Sequence, residues 1–248
     1  GTFSALNGPV NCTSCAAGFF TAQSGQSACT ACGLGRFNGA AKQADCQLCQ
    51  PGKFGNRTGL TTCFSCPTGR AQPLSGASAC DLCLAGTAAG GQGSVACTLC
   101  AAGTYNAGNG SQACTGCPVG RQQSQPGSTR CDLCAKGAYA DLPGLANCFG
   151  CAKGYFANVT GLVHCFPCPA ATYQSSQGQT GCVACDQGTA SALSGQAVCA
   201  SCAAGKYASL TGALACVDCP VGRAQNQPGQ SACVDCTAGR FNPLTAQA

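Results

Sequence analysis

The hydrophobic and polar positions of this chain recur every 17 residues. Each interval opens with a C-x-x-C pair, and fourteen such pairs follow one another from Cys12 and Cys15 to Cys233 and Cys236, with no insertion or deletion. Eight residues after the leading cysteine stands a position that is often aromatic: Phe20, Phe37, Phe54, Tyr105, Tyr139, Phe156, Tyr173, Tyr207 and Phe241. Glycine lies on both sides of it. The first glycine, as at Gly18, Gly35, Gly52 and Gly69, is replaced only by Ala171. The second, as at Gly25, Gly59, Gly76 and Gly93, fails only at Lys42 and Ala246.

The repeat therefore reads C-x-x-C-x-x-G-x-[FY]-x-x-x-x-G-x-x-x, with room for two short extended segments and little else. Glycine every few residues disfavours helices longer than a turn and suits tight turns with φ > 0. The pattern predicts small disulfide-rich repeats of short β-strands and turns, with negligible helix, in an elongated rod-like tandem array. The aromatic beside the first glycine is expected to cover the disulfide and supply each repeat's small core. All contacts are expected to run between adjacent repeats.

Residues 12–232 hold thirteen full repeats, 233–248 a nearly complete one, and 1–11 the back end of another. On this reading the parent polypeptide continues in both directions, or like subunits join end to end. A longer period overlies the first. Proline follows the second cysteine only at Pro67, Pro118, Pro169 and Pro220, each 51 residues, or three repeats, from the next. The class of repeat that precedes the proline repeats always keeps its aromatic: Phe3, Phe54, Tyr105, Phe156 and Tyr207. Elsewhere Ala or Gln often replaces it, as at Ala71, Ala88, Gln122, Ala190 and Ala224. Two explanations stand: duplication of a three-repeat segment, or a twisted rod that presents equivalent faces every three repeats.

Composition sharpens this picture. The 248 residues include 28 cysteines and 36 glycines, but charged residues make up only 8%. Cysteine at that level marks a disulfide scaffold. Much of the apolar content is Ala and Cys, so no single large core can form and cross-links must replace burial. The net charge of +5 is spread over single Lys and Arg residues. That pattern gives no nucleic-acid stripe, and no run of apolar residues is long enough for a membrane span in this stretch.

The cysteines admit several chemistries. A thioredoxin-like motif needs a βαβ setting and normally occurs once. Zinc fits the C-x-x-C spacing, but a four-cysteine site consumes two pairs and should impose a 34-residue alternation that the chain lacks. Disulfides remain, and they imply an oxidising compartment. Pairing inside each C-x-x-C is possible but closes a small ring that is usually strained. The preferred pairing joins the second cysteine of one repeat to the first of the next. It links Cys15 to Cys29, Cys32 to Cys46, Cys49 to Cys63, Cys66 to Cys80 and Cys83 to Cys97. It continues with Cys100 to Cys114, Cys117 to Cys131, Cys134 to Cys148 and Cys151 to Cys165. It ends with Cys168 to Cys182, Cys185 to Cys199, Cys202 to Cys216 and Cys219 to Cys233. Cys12 and Cys236 are then unpaired and need partners beyond this stretch. Each bridge closes a loop worth about 3 kcal/mol in the chain-entropy model.

Four N-x-[ST] sequons occur, at Asn11, Asn56, Asn109 and Asn158. Asn56 and Asn158 hold the same place in their repeats and are the first candidates for N-linked glycans, followed by Asn109. Asn11, beside a bridging-type cysteine, comes last. The many Ser and Thr side chains offer places for O-linked sugars. Catalysis finds no support, and no metal or other cofactor is expected. His164 is the only histidine, and all seven acids are Asp, scattered without a paired-carboxylate pattern. Arg36, Arg70, Arg121, Arg223 and Arg240 share the place after the first glycine. They are candidates to pair with Asp near the cysteines or with a partner strand.

The Cys-Pro-Val-Gly-Arg stretches at 117–121 and 219–223 and the Ala-Gly-Thr-Tyr stretch at 102–105 resemble ephrin-receptor-like cysteine-rich repeats, whose pattern is C-x-x-C-P-x-G-x-Y. The resemblance covers the whole chain. Departures are the missing proline in ten repeats and the missing aromatic in five. The chain is also similar to the first half of tumour-necrosis-factor-receptor modules, in which the corresponding cysteines close one loop, and that similarity supports the preferred pairing. The resemblance implies an extracellular or cell-surface location and no single activity. A non-enzymatic structural role is expected: a rod, stalk or glycosylated filament that associates end to end or laterally, or continues in the same chain. The alternative is a receptor or adhesin ectodomain that binds a protein ligand.

Overall fold

A computed structural model describes residues 2–3, 12–242 and 244–245. Among them there is no helix, and every strand is two residues long. One strand of each pair follows the first glycine of a repeat. Its partner is made of the two residues between the next pair of cysteines, so Phe19–Phe20 pairs antiparallel with Thr30–Ala31, and Phe54 faces Phe64 across the next such ladder but one. The same register recurs in every two-stranded sheet of the described residues. The C-x-x-C motif is thus a strand held by a cysteine at each end.

Glycine makes the turn into each hairpin. At Gly18 φ is +85°, and the Phe19 amide returns to the Ala16 carbonyl at 3.1 Å, a turn that needs a left-handed residue in its third place. Where the sequence lacks glycine the backbone conformation is kept: Ala171 sits at φ +67° and Lys42 at φ +66°. Ala246, the other exception, lies outside the described residues.

Disulfides close the hairpins. Cys15 bonds Cys29, with Cα atoms 5.7 Å apart, and the same step of 14 residues recurs along the chain. Cys117 and Cys131 are also disulfide-bonded. Cys12 and Cys236 are free thiols.

The interior is sulfur. Among the described residues the largest fully buried side chains are all cysteines, from Cys15 and Cys32 through Cys202, the second of each pair. The aromatics do not form the expected core. Phe20, Phe37, Phe54, Tyr139 and Phe156 are only half-buried. Burial falls instead on the residue just past the two-residue strand. The residue after the aromatic points inward and the aromatic points outward, against the residue opposite it in the hairpin.

That inward position is polar in many repeats: Thr21, Asn38, Gln72, Asn106, Gln123, Gln174, Ser191, Gln225 and Asn242 are all buried there. Each Gln ties down its own loop. Gln72 donates from Nε2 to the Ala79 carbonyl at 3.0 Å and accepts from the Leu74 amide at 3.0 Å. Gln123, Gln174 and Gln225 repeat this arrangement. The shorter Asn instead reaches the preceding repeat, as Asn38 Nδ2 does to the Phe19 carbonyl at 2.8 Å. No buried side-chain nitrogen or oxygen among the described residues lacks a partner.

The chain divides into two bodies, one of Gly1–Gly116 with Gln123–Cys131 and one of Cys117–Gln122 with Asp132–Ala248. In the first, the Gly18 amide donates to the Asn38 carbonyl at 2.7 Å, the Asn38 amide to Leu60 at 3.0 Å, and the Gly59 amide to Cys32 at 2.8 Å. In the second, Gly154 donates to Gln174 at 2.8 Å, Gln174 to Gln196 at 3.1 Å, and Gly195 to Cys168 at 2.8 Å. Within each body, contacts also extend past the adjacent repeat, contrary to the nearest-neighbour expectation. A β-carbon on Gly18 would lie 2.3 Å from the Gly59 carbonyl oxygen, and one on Gly154 would lie 2.2 Å from that of Gly195, each two repeats on. Two glycines facing each other let the backbones touch.

Candidate functional site

Each repeat has an outer face, made by the half-buried aromatic, the exposed residue two places on, and the residue opposite the aromatic. Phe54 and Phe64 pair there with ring centroids 5.8 Å apart and planes tilted by 45°. Phe156 and Phe166 do the same at 5.9 Å and 48°, as do Tyr139 and Phe149. Tilted pairs of this kind match the ring quadrupoles and add about 0.5–1.5 kcal/mol each.

The two first-ranked sequon asparagines stand on this face. Gly55 is buried between Phe54 and the exposed Asn56, and Ala157 is buried between Phe156 and the exposed Asn158. At the first copy the middle residue of the sequon joins in, for the Arg57 guanidinium carbon lies 5.4 Å from the Phe64 centroid, a cation–π distance. Asn56 also lines a groove of about 260 Å³ with Phe54, Pro67, Arg70 and Ala79. Arg70 is fixed there by its bond from Nη1 to the Cys80 carbonyl at 2.8 Å. Asn109 is exposed but differently held. Its Oδ1 accepts from the Ala85 amide at 2.8 Å, and the residue two places before it is Ala107. Asn11 lies outside the described residues.

The arginines after the first glycine anchor hairpins more than they form ion pairs. Arg36 donates to the Cys46 carbonyl at 2.9 Å and stands 3.8 Å from Asp45. Arg223 meets Asp235 at 2.7 Å, and Lys206 bonds Asp218, both across hairpins. These exposed pairs contribute about 0–1 kcal/mol. His164 is exposed and lines an open groove of about 290 Å³ with Tyr139, Asp141 and Tyr155. No group of three or more His, Cys, Asp or Glu among the described residues could hold a metal ion. Among those residues no helix is long and apolar enough to cross a membrane. Of the free thiols, Cys12 is exposed and Cys236 half-buried.

Two features escaped the sequence reading. Arg57 over Phe64 has no local signal, because it depends on the hairpin register. The buried glutamines do have one, recurring as Gln72, Gln123, Gln174 and Gln225 at 51-residue intervals in the proline repeats.

The hairpin, its bridge and the left-handed glycine form one module, and a family model fits that module repeatedly. The model described as tyrosine-protein kinase ephrin type A/B receptor-like matches residues 1–46, 86–134, 154–195 and 188–236. The chain belongs to this ephrin-receptor-like family. The family is a non-catalytic, cysteine-rich ectodomain module. No curated protein matches the chain.

Proposed function

We propose that this ephrin-receptor-like chain is an extracellular structural element, a stretch of a rod, stalk or glycosylated filament at or outside the cell surface. The observation that carries the reading is the backbone bond from the first glycine of one repeat to the inward residue of the next. It recurs unbroken within each body, from Gly18 to Asn38 in the first and up to Gly222 to Asn242 in the second. A fibre needs each repeat to superpose on the next, and nearest-neighbour bonding of this regularity provides it. Twenty-six bridged cysteines require an oxidising compartment.

The chain carries N-linked glycans on Asn56 and Asn158, then Asn109, with Asn11 last, and O-linked sugars on exposed Ser and Thr. Cys12 and Cys236 take partners from like repeats, in the same parent chain or in another copy. Electron microscopy of the native material tests the structural role: end-to-end or lateral self-contacts are expected, and isolated particles bound to a second protein would overturn it. Intact mass before and after deglycosylation tests the sugars, and an unchanged mass would remove them.

One observation favours the second reading, a receptor or adhesin ectodomain binding a protein ligand. The groove lined by Tyr139, Asp141, Tyr155 and His164 gathers the only histidine with an acid and two aromatics, a local departure from the regular surface. Crosslinking on intact cells that captured one foreign protein at Tyr155 or His164 would favour it.

A further inference from the structure

Phe54 ends a strand, Gly55 after it is buried, and the exposed Asn56 lines one groove together with the Phe54 ring. Phe156, the buried Ala157 and the exposed Asn158 repeat this sequence pattern and burial six repeats on. In both copies the ring is already braced by a partner, Phe64 or Phe166. At Asn56 the loop is braced too, by Arg57 on Phe64. Beside Phe54 lies the groove that Asn56 itself lines, with Pro67 as an apolar wall and Arg70 as a polar one. Its volume of about 260 Å³ falls below the roughly 300–1,000 Å³ of sites for drug-sized ligands. The room is that of a single sugar ring.

From this geometry we infer that the groove at Asn56 is a built seat for the innermost N-acetylhexosamine of an N-linked glycan. The apolar face of the sugar stacks on Phe54 while its polar substituents reach Arg70, and Phe156 offers the same stacking face at Asn158, where Thr172 takes the place of Arg70. The inference rests on the N-glycosylation proposed above. The linkage forms when Nδ2 of Asn56 attacks C1 of an oligosaccharide carried on a polyprenyl diphosphate. The C1–O bond to the carrier breaks, the N–C1 bond forms, the polyprenyl diphosphate leaves and one amide proton is lost. Once in place, the ring meets a π face whose negative potential attracts its C–H groups, a weak but directional contact. The glycan then belongs to the outer surface of the repeat and caps an aromatic pair that would otherwise face water. Asn109 has Ala107 where the other two have Phe, so a glycan there has no such seat.

The test uses the whole chain secreted from eukaryotic cells, with its glycans trimmed to one N-acetylglucosamine. Glycopeptide mass spectrometry reads occupancy, and isotope-edited NMR reads the first sugar. Asn56 and Asn158 should be occupied, with sugar protons shifted upfield by ring current. Phe54→Ala should abolish the shift at Asn56 while leaving occupancy intact, and Phe54→Tyr should preserve it. Alanine is tolerated at this place, since Ala71 and Ala88 fill it in the next two repeats. Occupied asparagines whose sugar signals are unshifted, or unchanged by Phe54→Ala, would overturn the seat while leaving glycosylation standing. Unoccupied Asn56 and Asn158 would overturn both.

Discussion

Gly69 lies so close to Gly110 that a β-carbon on the former would come within 2.0 Å of the latter's carbonyl oxygen. The two glycines are 41 residues apart, and their approach joins repeats that are not sequence neighbours. Gly69 is also left-handed, at φ +77°. Gly69→Ala therefore meets a backbone clash together with backbone strain and should destabilise the surrounding repeats by at least about 3 kcal/mol. Gly25 has φ +78° but open space around it, so Gly25→Ala should cost only about 1–2 kcal/mol. Hydrogen exchange resolved by repeat would separate the two, and equal losses would contradict the close approach.

Ala171 and Lys42 carry the reverse expectation. Both hold a left-handed conformation with a side chain attached. Glycine there would relieve about 1–2 kcal/mol of strain and lose part of it to unfolded-chain entropy. Ala171→Gly and Lys42→Gly should each gain about 1 kcal/mol, read from local denaturant midpoints.

Thiol labelling tests the bridges. Alkylation of the denatured, non-reduced chain should modify no cysteine from Cys15 to Cys233, and labelling at Cys15 or Cys29 would contradict the bond between them.

Gln72 tests the buried polar position. Gln72→Ala leaves the Leu74 amide and the Ala79 carbonyl without their side-chain partner, which should cost about 1–2 kcal/mol. The backbone bond from residue 72 to Ser94 at 3.1 Å should survive, because Ala89 makes the corresponding bond to Ser111 at 3.1 Å. Faster exchange at Leu74 with no change at residue 72 is the expected result.

Much of the fold was legible because its determinants are local. Glycine at 18 and 25 marks turns with φ > 0, and the interval between cysteines leaves space only for short hairpins. The outer face could not be read in the same way. A two-residue strand is too short to show alternation, so Phe20 and Phe54 looked like core when the inward place belongs to Thr21 and Gly55. The approach of Gly69 to Gly110 was hidden for another reason. Every repeat offers the same glycines, so an interval of 17 does not reveal which copies meet. Of the sequon residues, Asn56 and Asn158 drew attention through their shared place, but the groove beside Asn56 depends on Pro67 and Arg70 from the following repeat.

The bridge between Cys15 and Cys29 also decides where mechanical load travels. Tension along the chain passes through the sulfurs, across the 5.7 Å between the two Cα atoms, and then along the short C-x-x-C link. The hairpin loop is shunted out of the load path. Each repeat can then lengthen to no more than about 16 Å, although its 17 residues could reach about 58 Å if drawn straight. Reduction of one bridge would release that stored slack, so the stiffness of the chain under force is set by the redox state of its surroundings.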